Sequence, residues 1–295
     1  MTTEITLNAL GFIPGPSETK ECFLERVEYC KTLSSTLFST LEFPSSFVVE
    51  TAKEPMEEAF EIAQPLFGIA PLWIPLVFSN AKLPLWQGGA LWIFQQTENA
   101  PLGALLQLRS LFRKKSCYLN LYQRKEILAH ELSHVGRMAF EEPKFEELFA
   151  YQTSSSWFQR TFGPLFQSSM ESLIFVILLL AIFCLNVMTL ISLESMLLLA
   201  GTLAAIALFL GGLIFRLMAR QRQLYRAKRA LTEVFHGDEK KARFLLYRLT
   251  DREIVEFSKW KKEAIVHYMT GDLSYRWEFL RSVYDISDES TFDRI

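Results

Sequence analysis

Two stretches of this chain, residues 172–193 and 195–215, carry no charged side chain and are rich in Leu, Ile, Phe and Val. Each is about 20 residues long, enough for a helix to cross the hydrocarbon core of a bilayer. The lesser alternative is a pair of helices buried in a soluble core. Only Glu194 separates the two runs. So short a turn makes the helices antiparallel neighbours, packed as a hairpin. Ala200, Gly201, Ala204, Ala205, Ala207, Gly211 and Gly212 give the second run small residues at helical spacing, which lets membrane helices approach closely. Asn186 is the strongly polar side chain of the first run and is read as a hydrogen-bonding link across the pair. Arg216, Arg220, Arg222, Arg226, Lys228 and Arg229 follow the second run directly. Basic residues concentrate on the cytoplasmic side, so this end is expected there, and a hairpin returns the chain to the side from which it came. Both termini are then cytoplasmic.

The chain has four histidines, and two of them stand in His130-Glu131-Leu132-Ser133-His134. Residues 121–137 read as one continuous helix, on which positions four apart share a face. His130 and His134 therefore present two imidazoles to one point, as zinc requires. Glu131 can reach a water at such a metal without ligating it, and so act as general base. Ile127, Leu128, Leu132 and Val135 supply the apolar flank that seats the helix in a core.

Zinc takes a third protein ligand. Glu141 lies about 10 Å further along the helix axis, too far to share a metal with the histidines. Gly136 and the Glu142-Pro143 step are places to end the helix, and Pro143 is suited to open a second one. That helix would offer Glu146 or Glu147. The two point about 100° apart, so only one can face the metal. The residues alone leave open which.

The combination resembles the gluzincin zinc metallopeptidases, in which an H-E-x-x-H helix is followed by a helix carrying a glutamate ligand. In several members that glutamate opens a Glu-x-x-Ala-Asp or Glu-x-x-Ala-Asn string. Here Glu147-Leu-Phe-Ala150-Tyr151 matches through the alanine and departs at the last position. The resemblance covers residues 121–152. It implies that Glu147 is the ligand, with Glu146 the alternative, and that Tyr151 replaces an acid or amide that would orient a ligand. The spacing from His134 to Glu147 is shorter than in thermolysin-like members. A small sheet before the metal helix is also the zincin arrangement, with an edge strand that pairs with an extended substrate. Which strand forms that edge is not readable from the sequence.

The remaining features set bounds. A net charge of −2 and the lack of a broad basic surface exclude a general nucleic-acid binder. Cys22, Cys30, Cys117 and Cys184 form no C-x-x-C pair and read as free thiols of a reducing compartment. The first residues show neither a basic n-region nor an apolar h-region, so no secretory signal is expected there. Residues 1–16 read as an irregular arm, 17–41 as a helix, and 55–64 as a short helix. Strands are expected at 72–78, with Pro75 suggesting an edge position, at 90–95, and at 103–112 beyond a hairpin loop at 97–101. Residues 216–284 read as helical. Thr250-Asp-Arg-Glu253 opens an amphipathic helix that runs through Tyr268 and stops near Gly271. The acidic end, 285–293, reads as frayed. His236, His267, Tyr275 and Arg276 are candidates for stabilising an oxyanion.

The expected architecture is an α+β zincin-like unit over residues 1–165, a transmembrane hairpin over 170–217 and a helical cytoplasmic region over 218–295. The expected function is a membrane-anchored zinc metallopeptidase acting on peptide or protein substrates on the cytoplasmic side. The alternative is a non-catalytic membrane protein with a structural metal site and a partner-binding helical region.

Overall fold

The computed structural model describes residues 2–40, 48–50, 53–85, 87–95, 97, 100–118, 122–189 and 195–286. It is α+β, with a small sheet and two long apolar helices. In chain order the first elements are α1 (Thr2–Ala9), α2 (Lys20–Thr40), β1 (Val48–Glu50), α3 (Lys53–Phe67), β2 (Leu76–Phe78), β3 (Gly89–Phe94) and β4 (Gly103–Leu108). A 3₁₀ turn at Ser110–Arg113 leads to a two-stranded ribbon, β5 (Cys117–Tyr118) and β6 (Tyr122–Gln123). The residues expected to form an irregular arm thus begin as a helix. Leu7, Phe12 and Ile13 are buried, and the carbonyl of Leu10 accepts from Trp73 Nε1 at 2.9 Å.

The sheet runs β1-β2-β4-β3. β3 and β4 are antiparallel with Leu91 opposite Leu106, and β2 and β4 are parallel. All six residues of β4 are buried, which suits a strand covered on both faces. Its one polar side chain, Gln107, is satisfied: Nε2 donates to the carbonyls of Ser79 and Ala81, and Oε1 accepts from Trp92 Nε1. The strand expected at 72–78 is only three residues long and lies inside the sheet rather than at its edge. Pro75 stands just before it, where its missing N–H costs no ladder bond, and its carbonyl accepts from Leu106.

Helix α4 (Arg124–Val135) follows β6 directly. The expected start at residue 121 is displaced because Tyr122 and Gln123 pair with Tyr118 and Cys117. Arg124 N–H donates to the carbonyl of Ser116. Leu128, Ala129, Leu132 and Val135 are buried, and α4 packs against α3. Arg124 also pairs with Glu58 of α3 at 3.1 Å. Pro143 does not open the next helix. Lys144 N–H donates to Asp251 Oδ2, and Glu142 Oε2 accepts from Asp251 N–H. These bonds hold the link outside a helix, and α5 (Glu146–Ala150) begins three residues after Pro143. A 3₁₀ turn, Tyr151–Thr153, and α6 (Trp157–Phe162) complete this part.

α7 (Ser169–Thr189) and α8 (Ser195–Val234) pack against one another, and each contains a segment long and apolar enough to cross a membrane. The turn expected at Glu194 lies outside the described residues. One expectation for the pair is corrected: a Cβ built at Gly201, Gly211 or Gly212 would meet nothing within 4 Å, so these glycines do not form the helix contact. Asn186 Nδ2 donates to Ile182 O of its own helix at 2.9 Å. α8 continues without a break past its apolar part. Its last turns bury Leu217, Leu224, Ala227, Leu231 and Val234 against α9 (Glu239–Tyr247), α10 (Asp251–Phe257) and α11 (Lys262–Gly271), and α12 (Tyr275–Tyr284) closes the chain against α1.

The capping box at Thr250 and Glu253 is present at the start of α10. The helix expected to run from there through Tyr268 is broken at residues 258–261. Arg276 pairs with Glu253, whose Oε1 also accepts from Trp277 Nε1 and Tyr268 Oη. One apolar core includes residues of the sheet, of α4 and of α8 to α12. The acidic residues 287–293 lie outside the described residues.

Candidate metal centre

α4 and α5 bring three donors together. The ligand atoms of His130, His134 and Glu147 all lie within 4.8 Å of one another. Glu147 Oε2 is 3.6 Å from His130 Nε2, and Glu147 Oε1 is 3.8 Å from His134 Nε2. Donors about 2.1 Å from a tetrahedral ion stand roughly 3.4 Å apart. The observed separations are close to that, and two imidazoles with one carboxylate suit zinc chemically.

Glu146 does not share this point. Its Oε1 lies 2.8 Å from His134 Nδ1, on the far side of the ring from Nε2. Glu146, the alternative ligand expected from the sequence, therefore meets the opposite nitrogen of His134. In metal sites a carboxylate so placed fixes the ring and tautomer of a ligating histidine. Tyr151 meets the ring of His130 edge-on, with centroids 4.9 Å apart.

Glu131 turns toward the sheet. Its Oε2 accepts from the N–H of Leu91 at 2.9 Å. Leu91 lies on β3, which among the described residues pairs with β4 alone. The helix approaches so closely because Gly88 and Gly89 stand beneath Ile127. A Cβ on either glycine would lie within 3 Å of that side chain.

The charges are strongly coupled. Burial and the neighbouring His134 push His130 down to about 3. Burial alone would lower His134 too, but the hydrogen bond and charge of Glu146, with the charges of Glu131 and Glu147, raise it to about 9. Burial raises Glu131 above the usual carboxylate range, against the opposing pull of His134 and the Leu91 N–H. Burial likewise raises Glu147. Tyr151 is pushed up to about 12 by burial and by the charge of Glu147.

His130, Glu131, Glu147 and Tyr151 line an open cleft of about 670 Å³. Its walls come from Gly88 and Gly89 before and in β3, from Glu126 and Ile127 of α4, and from Phe158, Phe162, Leu165 and Phe166. Among the described residues, His236, His267, Tyr275 and Arg276 are not in this lining. Arg276 is committed to Glu253 and to the carbonyl of Arg248. Tyr275 packs on Phe23 and Phe279, and His236 is the left-handed residue after α8.

The contact of Leu91 with Glu131 was not visible in the sequence, since it joins positions forty residues apart. The Gly88-Gly89 pair ahead of a strand was the one available signal of a close backbone approach. Comparison with known proteins finds no matching family model, no matching curated protein and no matching solved structure.

Proposed function

We propose that this chain is a membrane-anchored zinc metallopeptidase of gluzincin type. The observation that carries the reading is the convergence of His130, His134 and Glu147, with His130, Glu147 and Glu131 lining one open cleft. A structural zinc site is closed by four protein ligands, whereas a catalytic one keeps a position free. Three converging donors, two of them, His130 and Glu147, at the wall of an open cleft, favour the catalytic reading over the non-catalytic one.

A bound zinc ion would supply Lewis acidity at a carbonyl and lower the pKa of water to about 7. His130, His134 and Glu147 would hold it, and Glu146 keeps His134 in the required tautomer. Glu131 takes a proton from the attacking water and returns it to the leaving amine nitrogen. Its raised pKa brings it nearer the working pH, where one group can serve both as acceptor and as donor. The Leu91 N–H holds this carboxylate against β3. As the outer strand whose first residue lines the cleft, β3 is the edge along which an extended peptide would add.

Arg216 donates to Glu171 Oε2 at 2.8 Å and so ties the two apolar helices together at the end nearest the cleft. The basic residues that follow support a cytoplasmic placing of this side by charge asymmetry.

Metal analysis of the purified full-length protein tests the reading. About one zinc per chain is expected, with loss in His130→Ala and in His134→Ala. Full zinc in either variant would move the site elsewhere and remove the basis of the proposal.

A further inference from the structure

The wall of the cleft opposite β3 is the segment that leads into the membrane helices. Leu165 and Phe166 line the cleft, and Phe166 packs at a tilt against Phe175 of α7 with ring centroids 5.3 Å apart. Phe175 belongs to the apolar run, so cleft wall and membrane helix share one continuous aromatic contact. Three polar bonds hold the cleft to α8 just above that run. Arg216 Nη2 donates to Leu165 O at 3.0 Å, Arg220 Nη1 to Lys144 O at 3.2 Å, and Gln221 Nε2 to Thr161 O at 2.8 Å. Arg220 and Gln221 stand five and six residues past Phe215, or about 8–9 Å along a helix rising 1.5 Å per residue. A headgroup layer is roughly 5–8 Å thick on each side of the hydrocarbon. Lys144 is three residues from Glu147, which keeps that donor within at most about 11 Å of this level.

At the same level α6 presents two aromatic side chains outward. Trp157 is 67% exposed and Phe158 64% exposed. They pack from one side only, Trp157 at 6.2 Å and Phe158 at 5.2 Å from the ring of Phe162. Phe158 itself lines the cleft. Large aromatic side chains concentrate at the membrane–water interface, where the ring body is apolar and the surroundings partly wet.

We infer that the Trp157–Phe158 edge sits in the headgroup layer of the bilayer that α7 and α8 span, and that the cleft takes polypeptide segments adjoining a membrane anchor. The second half rests on the metallopeptidase reading; the first does not. A free peptide must reach the cleft from bulk water. A chain emerging from a neighbouring membrane anchor is already confined to the height of the donors, and confinement raises its effective concentration at the site. A site far above the bilayer would instead reach such substrates only through a long spacer.

The test uses the full-length zinc-loaded protein in vesicles of phosphatidylcholine and phosphatidylglycerol. With the four native cysteines replaced by alanine, Trp157→Cys and Phe158→Cys carry spin labels. Phe183→Cys in α7 and Leu273→Cys, 66% and 92% exposed, are the lipid and water references. Accessibility to oxygen against a water-soluble nickel chelate reads depth. Labels at 157 and 158 are expected between the two references. In parallel, one peptide sequence is offered free, and anchored through spacers of about 5 or about 30 residues, the shorter reaching at most about 18 Å. The short-spacer substrate should be cut at least about tenfold faster than the free peptide. Trp157→Ser, which lies outside the cleft lining, should lose that advantage while still cutting the free peptide.

Labels that match the water reference would overturn the inference. Labels shielded from both reagents would assign the edge to a protein partner and overturn it equally. Cleavage of the long-spacer substrate with none of the short would place the cleft too high. Interfacial labels in a protein that cuts no peptide, free or anchored, would overturn the substrate class through the peptidase reading, with the membrane contact intact.

Discussion

Glu146 Oε1 and His134 Nδ1 lie 2.8 Å apart, so the carboxylate next to Glu147 holds the second histidine of the pair from behind. In the proposed site, adjacent residues on α5 thus serve one metal point in two ways. Glu147 faces it, and Glu146 orients a group that faces it.

That division predicts different losses for neighbouring substitutions. Glu147→Ala removes a donor, so zinc retention and peptide cleavage should fall together. Glu146→Ala leaves all three donors but frees the His134 ring, and should lower zinc affinity by about 10–100-fold. Competition titrations with a chelating dye would separate the two. A Glu146→Ala protein that binds no zinc beside a Glu147→Ala protein that binds normally would move the ligand by one residue.

The same pair sets a pH dependence. In the metal-free protein His134 keeps its proton up to about 9, and zinc must displace it. At pH 7 binding should release this proton, and apparent affinity should rise about tenfold per pH unit toward pH 9, then level. The linkage to stability has the opposite sense. A histidine raised above its unfolded value of about 6.5 stabilises the metal-free fold fully below that pH, and the contribution is lost as pH rises through about 9. Calorimetry in buffers of different ionisation enthalpy counts the protons. Zinc binding at pH 7 without proton release would contradict the assigned charge on His134.

The end of α4 is held by buried polar contacts. Arg137 donates from Nη1 to the carbonyls of Tyr247 and Leu249, each at 2.8 Å, and stands 3.6 Å from Asp251. Removing it strands two carbonyls and an acid, so Arg137→Met should destabilise by about 3–5 kcal/mol. A Cβ on Gly136 would lie 2.4 Å from Tyr247 Oη, a hydroxyl that donates to Ser133 O. Gly136→Ala should therefore lose about 1–3 kcal/mol by overpacking. Thermal unfolding in detergent checks both, and unchanged melting in either variant would dissociate α4 from the C-terminal helices.

How much of this was legible follows from the range of each interaction. His130 and His134 share a helical face, and that follows from local spacing. The apolar runs and the capping box at Thr250 are equally local. The start of α4 was misread because β5 and β6 compete for Tyr122 and Gln123, a pairing that the helical pattern does not encode. Pro143 was misread because Asp251, more than a hundred residues away, fixes the link before α5. Glu146 could not be told from Glu147 by spacing alone. The direction of each depends on where α5 begins, and that is settled by the same distant contacts. The N-terminal helix α1 escaped notice because Gly11, Pro14 and Pro16 dominate the pattern of its neighbourhood.

The central claim is that Glu131 is the proton carrier of a hydrolytic zinc site. The most direct measurement is the rate of peptide hydrolysis per bound zinc in the wild-type protein and in Glu131→Gln. The account predicts that both proteins carry zinc, that the wild type cuts, and that the variant is slower by about 10²–10⁴-fold. Equal rates per zinc in the two proteins would contradict it.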